Sequence, residues 1–264
     1  MKKLIFFFIV FSTLMLGVAA CSDDSDDDNN KSVAIERVEA STDIDLSKYN
    51  GLVCKVNDKT YDFVVNNKVV TATPKKDGES AYTMPYDPEM IGGSSGVYMY
   101  LYRTDLAWGK KTDQSTFDKM MSYDALIAKK GGNLPSVITD LSLVHQYSMV
   151  SFTTKGVPQG AKITVKNSDF DYVVTPYRIG DDQYQCIPPL AMDCMVSLVI
   201  DDVEYLTKTI YYAIQKRSKA LLQDSNRFYS FELVYNADAG EDEEKLSITN
   251  GAIDTWTNQH FADN

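Results

Sequence analysis

Histidine is scarce: 264 residues contain two, His145 and His260. General-base chemistry therefore has few candidates. The cysteines do not make up the deficit, because Cys54, Cys186 and Cys194 fit no zinc spacing and only those two histidines could join them. No metal site and no cofactor is expected. Basic residues are also in the minority, with 26 Lys and Arg against 37 Asp and Glu and a net charge of −11. The lysines are scattered, which argues against a nucleic-acid partner, since that needs a clustered basic face. No internal repeat is visible. The longest apolar run, Leu4 to Leu16, falls short of the ~20 residues that a membrane-spanning helix needs.

That run is instead part of a leader. Lys2 and Lys3 precede it, and Val18-Ala19-Ala20-Cys21 follows. A positive start, an apolar middle and small residues at the cut make a secretory signal peptide. The order aliphatic, small, small, Cys resembles a bacterial lipoprotein signal closely. The resemblance implies a signal peptide over residues 1–20, with Val18, Ala19 and Ala20 as the signal-peptidase motif and Cys21 as the lipidated first residue. Buried acyl methylenes contribute ~0.8 kcal/mol each, so two or three chains hold such a protein on a membrane. Residues 21–31 then read as an acidic disordered tether, carrying Ser22-Asp23-Asp24-Ser25-Asp26-Asp27-Asp28. Acids directly after a lipidated cysteine also resemble the surface-export signal of some Gram-negative lipoproteins. With Cys21 set aside, three cysteines remain, an odd number that leaves at least one thiol unpaired. Cys186 and Cys194 bracket Pro188-Pro189, and whether they pair across that loop stays open.

Beyond the tether, short strands dominate. Seventeen tyrosines, with many Val, Ile and Thr, favour the pleated surface. Strands are predicted at Ser32–Val38, Leu52–Val56 and Tyr61–Val65, the last turning through Asn66-Asn67 into Lys68–Thr71. Two asparagines tolerate the positive φ of a tight hairpin turn. Val97 to Tyr102 alternates, with Val97, Met99 and Leu101 on one face and Tyr98, Tyr100 and Tyr102 on the other. The tyrosine stripe reads either as a sugar-stacking platform or as the outer side of a sandwich strand, hydroxyls toward water. Just before it stands a literal Gly-x-Ser-x-Gly, Gly92 to Gly96. A hydrolase nucleophile elbow needs a strand before it and a helix after it; here a Pro- and Gly-rich loop precedes and a strand follows, so a flexible turn is expected.

Asp118–Ala128 is the best helical stretch. Strands return at Val137–Val144, Ser148–Thr154, Lys162–Lys166, Asp171–Thr175, Gln183–Ile187, Cys194–Ile200 and Tyr205–Tyr212. A helical turn or two is predicted within Ala213–Leu222. Arg227–Tyr235 is the strongest strand, followed by Lys245–Thr249, a turn at Asn250-Gly251, and Ile253–Trp256. Many short strands with frequent turns define an all-β chain. A break near Leu141–Tyr147 divides it into two tandem β-sandwich domains, residues 32–142 and 143–264, with one or two short helices.

Three stretches resemble the fimbrillin family, the lipoprotein precursors of surface pili in Gram-negative anaerobes. They are Tyr123-Asp124-Ala125-Leu126-Ile127-Ala128, the segment Leu143 to Phe152 with its His145-Gln146-Tyr147-Ser148, and the ending Phe231-Glu232-Leu233, Leu246-Ser247-Ile248 and Ile253-Asp254-Thr255-Trp256. The likeness spans roughly the second half of the chain. It implies transthyretin-like sandwiches that assemble by strand addition: a sheet missing one strand accepts an extended segment from a neighbour. It also implies a protease cut after a basic residue, for which Arg37 is the candidate; Arg37 reads equally as an edge-strand charge that discourages aggregation. Candidate donor-strand residues are Leu246, Ile248, Ile253 and Trp256.

The expected protein is thus an outer-membrane lipoprotein at the cell surface, or in a fimbrium once processed. It would serve as a pilus subunit or accessory, with other fimbrial subunits and a host or bacterial surface ligand as partners. A glycan-binding surface lipoprotein is the alternative. No nucleophile–base constellation points to an enzyme.

Overall fold

Asn67 takes a φ of +52° and closes the two-residue loop between β3 (Lys59–Asn66) and β4 (Val69–Pro74), with Asn66 paired to Val69. Asparagine tolerates left-handed backbone because its short side chain bonds locally. The turn falls on Asn67-Lys68, one residue later than Asn66-Asn67. This hairpin belongs to a computed structural model that describes residues 35–49, 51–56, 59–74, 96–103, 111–131, 134–167, 171–215, 226–240 and 243–260. The lipoprotein motif at Val18, Ala19, Ala20 and Cys21, the acidic tether and Gly92 to Ser95 lie outside the described residues.

β1 (Arg37–Ser41) runs antiparallel to β4 and parallel to β8 (Val137–Ser142). It starts later than the predicted Ser32–Val38. Ile35, just before it, is already in the core, and its carbonyl accepts the Tyr61 hydroxyl at 2.9 Å. β2 (Gly51–Val56), β5 (Val97–Tyr102), β7 (Leu126–Lys130) and β9 (Val144–His145) complete an eight-stranded sheet in the order β8-β1-β4-β3-β2-β5-β7-β9. β3 follows β4 from Tyr61 to Asn66 but touches β2 only at Lys59 and Thr60. The sheet therefore doubles over at that corner. Its two halves enclose one core that includes Val38, Val70, Met99, Leu101, Leu126 and Ile138.

The predicted helix over Asp118–Ala128 stops early. α1 covers Phe117–Met121, with the Thr116 hydroxyl capping the Lys119 amide at 3.3 Å, and the chain then becomes β7. Leu126, Ile127 and Ala128 pair with Leu101, Tyr100 and Met99. A short apolar run suits a buried strand as well as a helix, and the sheet partner decides between them.

The second sandwich sets β13 (Tyr177–Arg178), β14 (Gln183–Cys186), β10 (Met149–Lys155), β17 (Arg227–Tyr235) and β18 (Leu246–Thr255), in that order, against a second sheet. That second sheet runs β16 (Val203–Leu206), β15 (Met195–Ile200), β11 (Lys162–Asn167), β12 (Tyr172–Thr175) and β6 (Lys111–Asp113). β6 comes from well before the others in the chain and pairs parallel to β12. Phe152, Val165, Val196, Leu198, Phe231 and Leu233 sit in the core between the sheets. The predicted strand Tyr205–Tyr212 breaks after Leu206, and α2 (Ile210–Gln215) begins. No disulfide joins Cys186 and Cys194; both thiols are buried, and Cys194 donates to the Leu190 carbonyl at 3.1 Å. Among the described residues the fold is all-β, two sandwiches with two short α-helices.

Candidate assembly edge and inter-sandwich junction

β18 is the last strand among the described residues and an outer strand of its sheet. It runs ten residues antiparallel to β17, from Leu246 opposite Tyr235 to Thr255 opposite Arg227. Asn250-Gly251 does not turn it. Asn250 has φ +52°, and Asn250 and Gly251 together face Phe231, so the pair forms a bulge and the strand continues. A bulge adds one residue and bends the strand locally. Here the bend brings Gly251 against α2: a Cβ at Gly251 would lie 2.4 Å from Ile214 Cγ1. On the partnerless side of β18 no strand pairs among the described residues.

The four candidate donor residues divide along this strand. Leu246 and Ile248 are buried in the second core and Ile253 is half-buried beside it. Trp256 leaves that core altogether. It sits, 2% exposed, in a third cluster between the two sandwiches, with Tyr100, Tyr102, Met120, Tyr147 and Met149.

This cluster corrects the reading of the tyrosine stripe. Tyr100 and Tyr102 are buried and Tyr98 is half-buried, so the stripe is neither a surface platform for sugars nor a hydrated outer face. β5 is apolar on both sides: Val97, Met99 and Leu101 fill the first core, and the tyrosines stack along the junction at centroid spacings of 6.3 and 5.4 Å. Burial lifts Tyr100 to about 12 and pushes Tyr98 higher.

The three stretches that resemble fimbrillins meet here. Asp124, just before β7, accepts from His145 Nδ1 at 2.9 and 3.0 Å. The Trp256 ring lies on the His145 ring at 3.6 Å and 13°, almost parallel. The Tyr49 hydroxyl also donates to Asp124, at Oδ2. Burial, with the Asp124 charge second, raises Tyr49 well above its ordinary value, so it remains a donor. Asp124 and His145 side chains are 0% and 1% exposed. A buried carboxylate needs such partners because its desolvation costs several kcal/mol, on the order of the attraction it gains. Gln114, buried as well, fixes the junction from another side: its amide donates to the Ile187 carbonyl at 2.9 Å and accepts the Ile187 amide at 2.8 Å. His145, covered by Trp256, is a joint between strands. Sequence reasoning found Asp124, His145 and Trp256 separately; Tyr49 and Gln114 carried no local signal.

Arg37 is the first residue of β1, its side chain half exposed and 3.3 Å from Glu39. β1 lies between β4 and β8, so Arg37 is not an edge-strand charge. β3, inside the strand order between β4 and β2, is open along part of one side. From Tyr61 to Asn66 its outer side has no strand partner among the described residues, and Phe63, Val64 and Val65 are 41%, 67% and 37% exposed. Among the described residues no group of three or more His, Cys, Asp or Glu gathers as for a metal.

No family model matches the chain, and no curated relative matches it. Solved structures do align over most of its length. The tip fimbrial protein Mfa3 from Porphyromonas gingivalis is 10% identical over 83% of this chain and 98% of its own, with a TM-score of 0.42. The fimbrial anchor protein Mfa2 from the same organism is 10% identical, covers 85% of this chain and 90% of its own, and has a TM-score of 0.37. A candidate cell adhesion protein from Bacteroides ovatus is 11% identical over 85% of this chain and 99% of its own, with a TM-score of 0.42. These three neighbours are described as a fimbrial tip protein, a fimbrial anchor protein and a cell adhesion protein. Likeness at this level assigns no activity by itself.

Proposed function

We propose that this chain is a cell-surface lipoprotein that serves as a fimbrial subunit or accessory component, joins its neighbours by β-strand addition and supports adhesion. The observation that carries the reading is the place of β18: this strand, ten residues long, lies at a sheet edge while Leu246 and Ile248 reach into the core. An edge strand with alternate side chains in pockets is the unit that strand addition exchanges. β3 supplies the complementary feature, an open backbone edge bearing exposed apolar side chains that a neighbour's strand would cover. Lipidation at Cys21 would hold the precursor at the outer membrane.

Cleavage after Arg37 would leave Val38 as the first residue, with most of β1 still between β4 and β8. It would sever Ile35, 6% exposed, from the sheet and free a slot beside Tyr61. Electron microscopy of the producing cell with and without the gene tests the fimbrial role; unchanged fimbriae in number, length and anchoring would contradict it. Mass spectrometry of surface material tests the cut, and a mature chain beginning at Cys21 would remove it.

A further inference from the structure

Tyr49 closes the short 3₁₀ turn Leu46–Lys48 that follows β1, and its amide donates to the Leu46 carbonyl at 3.1 Å. Leu46 is buried with Val38 and Ala40 of β1, and Tyr49 packs on the same core. The Tyr49 hydroxyl is therefore held by the N-terminal part of the first sandwich, and it donates to Asp124. A carboxylate only accepts, so the bond to Asp124 places the proton of His145 on Nδ1. That bond fixes the plane of the imidazole, and the plane is the surface on which Trp256 lies. Trp256 belongs to the other sandwich: it follows β18 directly, and its amide donates to the Asn226 carbonyl at 3.1 Å. Asp124, His145 and Trp256 are all buried, so bulk water does not readily replace a lost partner.

We propose that Tyr49, Asp124, His145 and Trp256 form a relay that makes the hold on the end of β18 depend on the segment from β1 to Tyr49. With Tyr49 engaged, Asp124 is fixed from two sides, the imidazole plane is set and Trp256 is seated. With Tyr49 withdrawn, Asp124 and His145 are free to turn together, Trp256 loses its platform, and the strand end opens more often. The bulge at Asn250-Gly251 confines the effect. Leu246 and Ile248 lie before it in the second core, and Ala252 to Thr255 lie beyond it. Coupling between two equilibria is reciprocal, so lifting Trp256 loosens Tyr49 as well. A cut after Arg37, or any other change in β1, reaches β18 by this route. Its use in assembly rests on the reading of β18 as an assembly strand; the coupling itself does not.

The test is amide hydrogen exchange, followed by NMR on the full chain in detergent micelles. Tyr49→Phe removes one hydroxyl and leaves the ring on the first core. It should speed exchange of the Trp256 amide about fivefold or more, with amides 246–249 little changed. The same substitution in a Trp256→Ala chain should have no effect at position 256, because the relay is already cut. Asp124→Asn, which keeps the shape of the side chain, should act in the same direction as Tyr49→Phe. In the converse experiment, Trp256→Ala should speed exchange of the Tyr49 amide. Unchanged exchange at Trp256 in a folded Tyr49→Phe or Asp124→Asn chain would overturn the proposal. So would equal acceleration at 246–249, the same acceleration after Trp256 is replaced, or an unmoved Tyr49 amide in Trp256→Ala. Coupling found alongside surface material that holds no cross-linked subunits would overturn the fimbrial reading and leave the relay standing.

Discussion

Replacing Trp256 by alanine removes the side chain that reaches from the last strand into the space between the sandwiches. Trp256 is 2% exposed and stacks on His145 at 3.6 Å. Burying an indole withdraws ~200–250 Å² from water, which at ~25 cal/mol per Å² is ~5–6 kcal/mol as an upper bound. Measured aromatic-to-alanine losses in cores run ~3–5 kcal/mol, so that range is the expectation. The location of the loss is as specific as its size. Leu246 and Ile248 stay anchored in the second core, whereas the strand end is held by Trp256 and by its amide, which donates to the Asn226 carbonyl at 3.1 Å. Urea unfolding gives the magnitude, and amide hydrogen exchange gives the place. Protection should fall over 252–256 and over 98–102 while 246–249 changes little. A loss below ~1 kcal/mol, or a loss of protection spread evenly over both sandwiches, would refute the idea that Trp256 pins the strand end to the junction.

Asp124→Ala leaves His145 and Tyr49 without their shared acceptor and should cost about 3–5 kcal/mol in urea unfolding. Alkali should open the junction. Tyr100 is lifted to about 12 by burial, so below pH ~10 its contribution is complete; above that the unfolded chain ionises first, and about 2–3 kcal/mol is lost as pH rises to the folded value. Urea midpoints at pH 8 and pH 11, with tyrosinate absorbance, read this directly. Gly251→Val places a Cβ in the space of Ile214 and should destabilise by about 1–3 kcal/mol, with Ile214→Ala relieving part of it.

The strand-rich character of the chain was legible because alternation and turn residues are local signals. β5, β11 and β17 fall where their alternation puts them. What could not be read was which second face would be covered. The tyrosines of β5 look amphipathic in isolation, and only the arrival of Met149, Tyr147 and Trp256 from distant positions buries them. β7 failed for the same reason: Leu126 to Ala128 suits a helix until β5 offers a pairing edge. Asn250-Gly251 carries the residues of a turn, yet β17 continues past it, so the positive φ of Asn250 is absorbed as a bulge. Asp124, His145 and Trp256 were visible as separate marks, while their convergence is a property of the packed chain.

Strand addition through β18 is tested most directly by a photoreactive residue at Ala252, an exposed position on that strand, with Asp181, exposed in a loop, as the control site. Irradiated surface material should yield a ladder of cross-linked subunits from the Ala252 probe, with peptides joined to a neighbour's strand, and little from the Asp181 probe. Monomer alone from both probes, in cells that still display fimbriae containing the protein, would contradict it.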